Sequence, residues 1–252
     1  MSDVSLKDVV KVADEWLRIR DVPDYSQAHN GLQMENAGCV RRLVAAVDAC
    51  EAVLSRAAAE RGTLLLVHHG LFWNPSVWTG ATYRKMRTAL EGDLAVYSAH
   101  LPLDVHPEFG NNVLLARKLG LSELEPVLDF KGLPVGLVGR TDVQRDIFVD
   151  ALTTATGSRA HVCPGGPAQV RRVAVVTGGA GSEVARVAAA GVDTFVTGEG
   201  PHWSYTLAEE LGINLLYGGH YATETFGVKA LAERLGDRFG LPWEFLDHPT
   251  GL

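Results

Sequence analysis

The chain is poor in cysteine: three in 252 residues, at positions 39, 50 and 163. The odd number, the wide spacing and the lack of any CxxC exclude a disulfide framework and a thiolate zinc knuckle. Positive charge is not in excess either, with 23 Lys and Arg against 30 Asp and Glu and a net charge of −7. That balance argues against a nucleic-acid binder that works by neutralising phosphates. No stretch approaches the ~18 apolar residues of a membrane span. The start, Met1-Ser2-Asp3-Val4-Ser5, carries no apolar signal region. GxSxG and Gly-Lys-Ser/Thr are missing, and the Gly-rich turn Val176–Ser182 lacks a full GxGxxG. The turn reads as tight local structure, with an anion site as the competing reading. The expectation is a cytoplasmic protein with no membrane and no nucleic-acid partner.

What is present is ordinary globular material, 46% hydrophobic and 21% charged. A chain of this length makes one large domain or two small ones and buries a sizeable core. Ser5 to about Arg20 reads as a helix, with Ser5 as cap, Asp8 in the first turn and an apolar stripe of Val9, Val12, Ala13, Trp16 and Leu17. Residues 29–33 form a polar turn and a short strand. From Arg41 a regular alternation begins. Strand 43–47, helix 50–61 closed by Gly62, strand 64–67, helix 82–91 and strand 94–98 follow one another, and helix 112–119 is closed by Gly120.

The second half repeats the layout. Arg171–Val176 mirrors Arg41–Ala46, helix 182–190 mirrors helix 50–61, and strands 193–196 and 213–217 follow. A helix after Phe226-Gly227 runs to Leu235-Gly236. We read an internal duplication: an α/β fold of two similar units, with mainly parallel sheets flanked by helices. The first unit spans 1–130 and the second 131–252. The boundary is open, lying in the Pro- and Gly-rich stretch 121–142, though Pro134 to Arg140 also looks strand-like, and the C-terminal segment is free to pack on the first unit. Residues 161–167 read as a second loop.

The duplication gathers chemistry at strand ends, where α/β sheets collect ligands. The apolar run Leu64–Val67 leads into His68-His69-Gly70. Beyond strand 94–98 come His100 and Asp104, and beyond strand 213–217 come His220 and Glu224. Alone, His68-His69 suits a strand-end turn with one packed and one solvated ring, and each HxxxD or HxxxE suits a surface pair. Together they make a set of imidazoles and carboxylates larger than one tetrahedral ion needs, matching a two-ion centre with open water positions. The donors fit zinc, manganese, iron, cobalt or nickel. Glu199 and His202 lie where the second half mirrors the His-His turn. They read as groups supporting the ligands or as a general acid or base, against plain hydrogen bonding. Loop residues Trp73, Trp78 and Tyr83 read as packing on the core rather than as a substrate wall, and His29, His106, His161 and His248 as surface or packing residues.

Several stretches in this order, HNGLQ (29–33), HHGLFW (68–73), SAHLPLDVHPEFGNN (98–112), TGE (197–199) and GGHYATET (218–225), resemble the Nif-three-like family. Its members are dinuclear-metal-centre proteins often called homologues of type 2 GTP cyclohydrolase I. The length is similar to the short bacterial form, which lacks a domain inserted between the halves. The resemblance implies that His68 binds one metal and His69 the other. Asp104 and Glu224 supply carboxylate ligands, at least one of them bridging, and His220 completes the set. It implies that His100 lines the same pocket, and that the chain assembles as a toroidal homohexamer with its metal centres facing the inner cavity.

The function expected from these readings is a dinuclear divalent-metal protein. It acts as a hydrolase through a metal-activated water on a small-molecule substrate: a nucleotide, a phosphoester or a cyclic amide. His100 and Glu199 are the catalytic candidates. The alternative is a metal-handling or regulatory binding protein without turnover. One asymmetry stands out: Gly198-Glu199 replaces His69-Gly70, so only the first half keeps the double histidine.

Overall fold

A computed structural model describes residues 3–73 and 77–252; Pro75, read with the loop after His69, lies outside them, as do Met1 and Ser2. In chain order the elements begin with β1 (Val4–Ser5), α1 (Leu6–Leu17), β2 (Gly31–Met34), β3 (Cys39–Val40), β4 (Arg42–Asp48), α2 (Glu51–Ala57) and β5 (Thr63–His69). They continue with α3 (Gly80–Glu91), β6 (Ala95–Ser98), the single turn α4 (Leu101–Asp104), α5 (Asn111–Lys118), β7 (Ser122–Phe130), β8 (Leu133–Gln144) and α6 (Arg145–Thr156). Then follow β9 (His161–Pro164), β10 (Gln169–Val175), a 3-10 turn (Gly181–Glu183) and α7 (Val184–Ala189). The chain closes with β11 (Thr194–Thr197), α8 (His202–Leu211), β12 (Asn214–Tyr217), α9 (His220–Thr223), α10 (Thr225–Phe239) and β13 (Trp243–Phe245). Among the described residues no helix is long and apolar enough to cross a membrane.

The chain forms two compact units. The first comprises residues 1–103 and 227–248, the second 104–226 and 249–252. The first unit holds a sheet in the order β13-β4-β5-β6-β2, parallel except for the β6–β2 edge. Alternation decides its packing. Val44, Ala46, Leu65, Val67 and Val96 meet Val53, Leu54 and Ala57 of α2 and Met86 and Ala89 of α3. Ser5 stands at the α1 cap position but makes no side-chain cap bond. The α1 stripe buries Leu6, Val9, Ala13 and Leu17.

The second unit holds a sheet in the order β7-β8-β10-β11-β12-β9. Its centre, β10-β11-β12, is parallel, and antiparallel strands extend it on both sides. Val173 and Val175 pack with Phe148 and Leu152 of α6, while Ala174 on the other face packs with Val184 and Val187 of α7 and Ala208 of α8. The β-α-β-α-β-α order of the first unit recurs here in β10 through α9.

Three sequence readings are corrected. The stretch 121–142 is a hairpin rather than an open boundary: β8 takes in the strand-like residues 134–140, and β7 before it is an added strand. Pro126, a register shift between Ser122 and Glu125, and positive φ at Glu123 and Leu128 hide the strand alternation of β7. A division at residue 130 therefore falls inside this hairpin, and β7 and α5 belong to the second unit. Residues 161–164 are a strand, because they pair with β12 and bury Cys163. The last helix runs through Gly236, which is buried, to Phe239.

Candidate metal centre

In the first unit β4, β5 and β6 run parallel, so their C-terminal ends share one edge. His68 and His69 are the last two residues of β5 rather than residues beyond it. His100 stands two residues past the end of β6. The three rings gather: His68 lies 4.7 Å from His69 and 4.9 Å from His100 between centroids, and His69 lies 5.7 Å from His100. Each offers one nitrogen, and these nitrogens lie within 4.8 Å of one another.

What fixes the rings is the other nitrogen. His68 Nδ1 is 2.9 Å from the carbonyl oxygen of Ala99, and His69 Nδ1 is 2.9 Å from Asp48 Oδ1. His100 Nδ1 is 2.9 Å from Asp24 Oδ1. A carbonyl or a carboxylate only accepts, so in each neutral ring Nδ1 carries the hydrogen and Nε2 presents a lone pair. Carboxylates and carbonyls placed this way set the tautomer and orientation of metal-binding imidazoles. Asp48 reaches His69 because the β4–β5 register sets the two residues opposite each other.

Asp24 is held more elaborately. It accepts from the backbone N–H of Tyr25 at 2.7 Å, from Asn30 Nδ2 at 2.8 Å and from the N–H of Leu101 at 3.0 Å. Burial pushes its carboxyl up, yet the hydrogen bond and charge of His100, with the Asn30 and Tyr25 bonds, outweigh it and hold the group below the usual carboxylate range. Asn30 Oδ1 in turn accepts the backbone N–H of His100 at 2.7 Å. The HNGLQ turn is thus the clamp on His100.

Trp73 stands edge-on to His100 at 4.8 Å and to His69 at 5.8 Å, so this loop aromatic packs on the histidines rather than on the apolar core. Trp78 and Tyr83, read as core packing, are 52% and 49% exposed. Ser98 donates to the carbonyl of His68, which gives it a structural task. The remaining histidines pack as expected where contacts are described: His106 stacks on Phe109 and His29 meets the edge of Phe72.

In the second unit His220 and Glu224 belong to the turn after β12. His220 Nδ1 lies 2.8 Å from Glu199 Oε1, and His220 Nε2 lies 3.2 Å from Glu224 Oε2. Glu224 is 2% exposed. Burial alone pushes the His220 imidazole down, but the hydrogen bonds and charges of Glu224 and then Glu199 prevail and raise it to about 9. Gly178 makes room for this pair: it has φ +73°, and a Cβ there would sit 2.2 Å from Glu224 Oε1. His202, considered beside Glu199, is exposed at the start of α8.

Asp104 belongs to the same unit, and a carboxylate oxygen of it lies within 4.8 Å of one of Glu224. Its Oδ1 accepts from Asn111 Nδ2 at 2.8 Å and from Thr177 Oγ1 at 3.1 Å. Thr177 donates its N–H to Asn112 Oδ1 at 2.9 Å, and Asn112 Nδ2 holds the carbonyl of Val135. All four side chains are buried. The sequence reading named Asp104 but missed Asp24, Asp48, Asn111, Asn112 and Thr177. Asn111 and Asn112 close the SAHLPLDVHPEFGNN stretch, which was the available signal.

One pH effect follows for chelator-treated protein. A folded pKa raised to about 9 from 6.5 means the His220 imidazolium stabilises the fold fully below about pH 6.5. That contribution, on the order of 2–3 kcal/mol, is lost as pH rises through about 9. Thermal unfolding across pH 6 to 10 should show the decline, and His220→Gln should flatten it.

Helix-covered sheets whose parallel strand ends carry anchored imidazoles and buried carboxylates define a class of α/β protein with side-chain groups that could hold a metal ion. The chain belongs to the Duf34/NIF3 (NGG1p interacting factor 3) family, whose model matches residues 4–250. It is 43% identical to a Deinococcus radiodurans protein named GTP cyclohydrolase 1 type 2 homolog, over 99% of this chain and 95% of that one. A Pyrococcus abyssi protein of the same name is 38% identical over 98% of this chain and 99% of its own. Among solved structures, TTHA1606 from Thermus thermophilus superposes with a TM-score of 0.89 at 43% identity, covering 99% of this chain and 100% of that one. Protein ybgI, described as of unknown function, gives 0.92 at 33% identity, with 99% and 100% covered.

Proposed function

We propose that the chain binds two divalent metal ions through the imidazoles of His68, His69, His100 and His220 and the carboxylates of Asp104 and Glu224, and uses them to hydrolyse a small substrate. The observation that carries this reading is the common treatment of four imidazoles. His68, His69, His100 and His220 each have Nδ1 on an oxygen acceptor, which directs Nε2 to a ligand. The donor set fits the ions: nitrogen and carboxylate oxygen, with no thiolate, suit zinc, manganese, iron, cobalt or nickel.

Such ions supply Lewis acidity and lower the pKa of a coordinated water. The chain's own residues hold and orient. His100 serves as a ligand rather than as an acid or base, because its Nδ1 is committed to Asp24 and its ring belongs to the imidazole trio. Glu199 acts on His220 rather than on substrate. Asp104 keeps one oxygen on Asn111 and Thr177, which fixes the direction of the other. The substrate class is a nucleotide, GTP included, a phosphoester or a cyclic amide.

The test is metal content of protein purified from its own host, followed by turnover of those three classes by metal-loaded protein. Metal-restored turnover absent from His69→Ala supports the reading. Metal-loaded protein no more active than His69→Ala across the panel would overturn the hydrolase and leave metal handling as the role.

A further inference from the structure

We infer that Tyr217 is a positioning residue for the Glu199–His220 pair, acting through a seam of two turns that it braces. The inference rests on the reading of His220 as a metal ligand. Glu199 is carried by the turn after β11, and that turn is stitched to the Gly-rich turn after β10 by backbone bonds. Gly198 N–H and Glu199 N–H both donate to the carbonyl of Gly178, at 2.8 and 3.1 Å, and Gly181 N–H donates to the carbonyl of Glu199 at 3.0 Å. The stitched strands touch at Gly181 and Gly200: a Cβ on Gly181 would lie 2.5 Å from Gly200 Cα.

Tyr217, the last residue of β12, lies against this contact from the side. Its Cε1 stands 2.9 Å from the place a Cβ on Gly181 would take, and its hydroxyl 2.6 Å from that of Gly200. The phenol is not loose there. Ser204 Oγ donates to the carbonyl of Pro201, so its remaining capacity is to accept, and the Tyr217 hydroxyl donates to it. The chain of bonds from Tyr217 through Ser204 to Pro201 pins the residue that follows Gly200. His161 stacks on the Tyr217 ring at 6.1 Å with the planes 15° apart.

The consequence is positional. Glu199 precedes a glycine whose nearest neighbours on that side are another glycine and a phenol, so Tyr217 is what stops the turn from shifting along the seam. A shift there moves the carboxylate that holds His220 Nδ1 at 2.8 Å. The Gly-rich turn, which matches no phosphate-binding motif, acquires a role as the rail against which Glu199 is set. Close-packed interiors transmit such displacements because they have little slack.

The test is a cobalt(II) titration of the full chain after metal stripping, read by the visible ligand-field spectrum, on parent, Glu199→Ala, Tyr217→Phe and Tyr217→Leu. Supporting ligands of this kind are worth roughly 10–100-fold in metal affinity. We expect Tyr217→Leu to weaken one of the two binding phases about tenfold and change its spectrum, in the same phase that Glu199→Ala weakens. Tyr217→Phe keeps the ring over the seam and should recover most of the loss, to within about threefold of the parent; Tyr217→Met, which removes the ring but keeps much of its volume, takes the place of Tyr217→Leu should that variant not fold. Glu199→Ala weakening one phase while both Tyr217 variants bind cobalt as the parent does, even with a lower Tm, would overturn the inference and leave the ligand assignment standing. Glu199→Ala leaving both phases unchanged would mark failure of the ligand assignment itself, and the inference would fall with it.

Discussion

A chain with His69 and Glu224 both replaced by alanine should hold at least one metal equivalent less than the parent, after loading with zinc or cobalt and removal of loose ions. The size follows from what a ligand is worth. Structural zinc in small peptides binds with about 10–16 kcal/mol spread over four ligands, so each contributes about 2.5–4 kcal/mol. Losing one weakens binding on the order of a hundred- to a thousandfold. His69 and Glu224 are chosen because each stands in a different unit and each has a dedicated partner: Asp48 at 2.9 Å and His220 at 3.2 Å. Elemental analysis reads the outcome directly, and circular dichroism confirms that the fold persists. Two equivalents remaining in the double variant would sink the assignment of both residues.

The second large effect comes from a single methyl group. Gly178→Ala places a Cβ at φ +73°, where an L-residue costs roughly 1–2 kcal/mol. It also puts that Cβ 2.2 Å from Glu224 Oε1 and 3.3 Å from Glu224 Cδ. Overpacking of this kind adds about 1–3 kcal/mol, and here the neighbour that must give way is a buried carboxylate. The expected loss is about 2–5 kcal/mol in urea unfolding, accompanied by weakened metal binding. Gly179→Ala is the internal control, since its Cβ meets nothing nearer than His220 Cε1 at 3.5 Å. Equal stability of the two alanine variants would show that the tight fit around Glu224 carries no energetic weight.

Much of this could be read from the chain because the signals are local. Apolar strands followed by Ala-rich helices, the glycine after α5, and the histidines at strand ends announce themselves within a few residues. The imidazole trio was legible for the same reason: parallel strands deliver their ends to one edge whatever the details of packing. The acceptors behind the rings were not. Asp24 lies in a loop 76 residues from His100, and Asp48 meets His69 only through the register of β4 against β5. A carboxylate on a neighbouring strand or a distant loop has no fixed spacing to betray it. The β7 strand of the hairpin escaped for a different reason. Its positive-φ residues and Pro126 break alternation, so a real strand carries the composition of a boundary stretch. Strand β9 is brief, and its partner β12 lies some fifty residues further on, so the pairing that makes it a strand is invisible locally.

The way the chain is divided between its units has a consequence for synthesis on the ribosome. The second unit is almost wholly one continuous stretch, 104–226, whereas the first is completed by residues 227–248. The edge strand β13 pairs with β4 across some two hundred positions. The sheet that carries His68 and His69 therefore lacks one flank until β13 has been made, while the second sheet has every strand in hand once β12 is made. Truncation near residue 240 would leave the later-coded unit with every strand of its sheet and the first-coded one without β13.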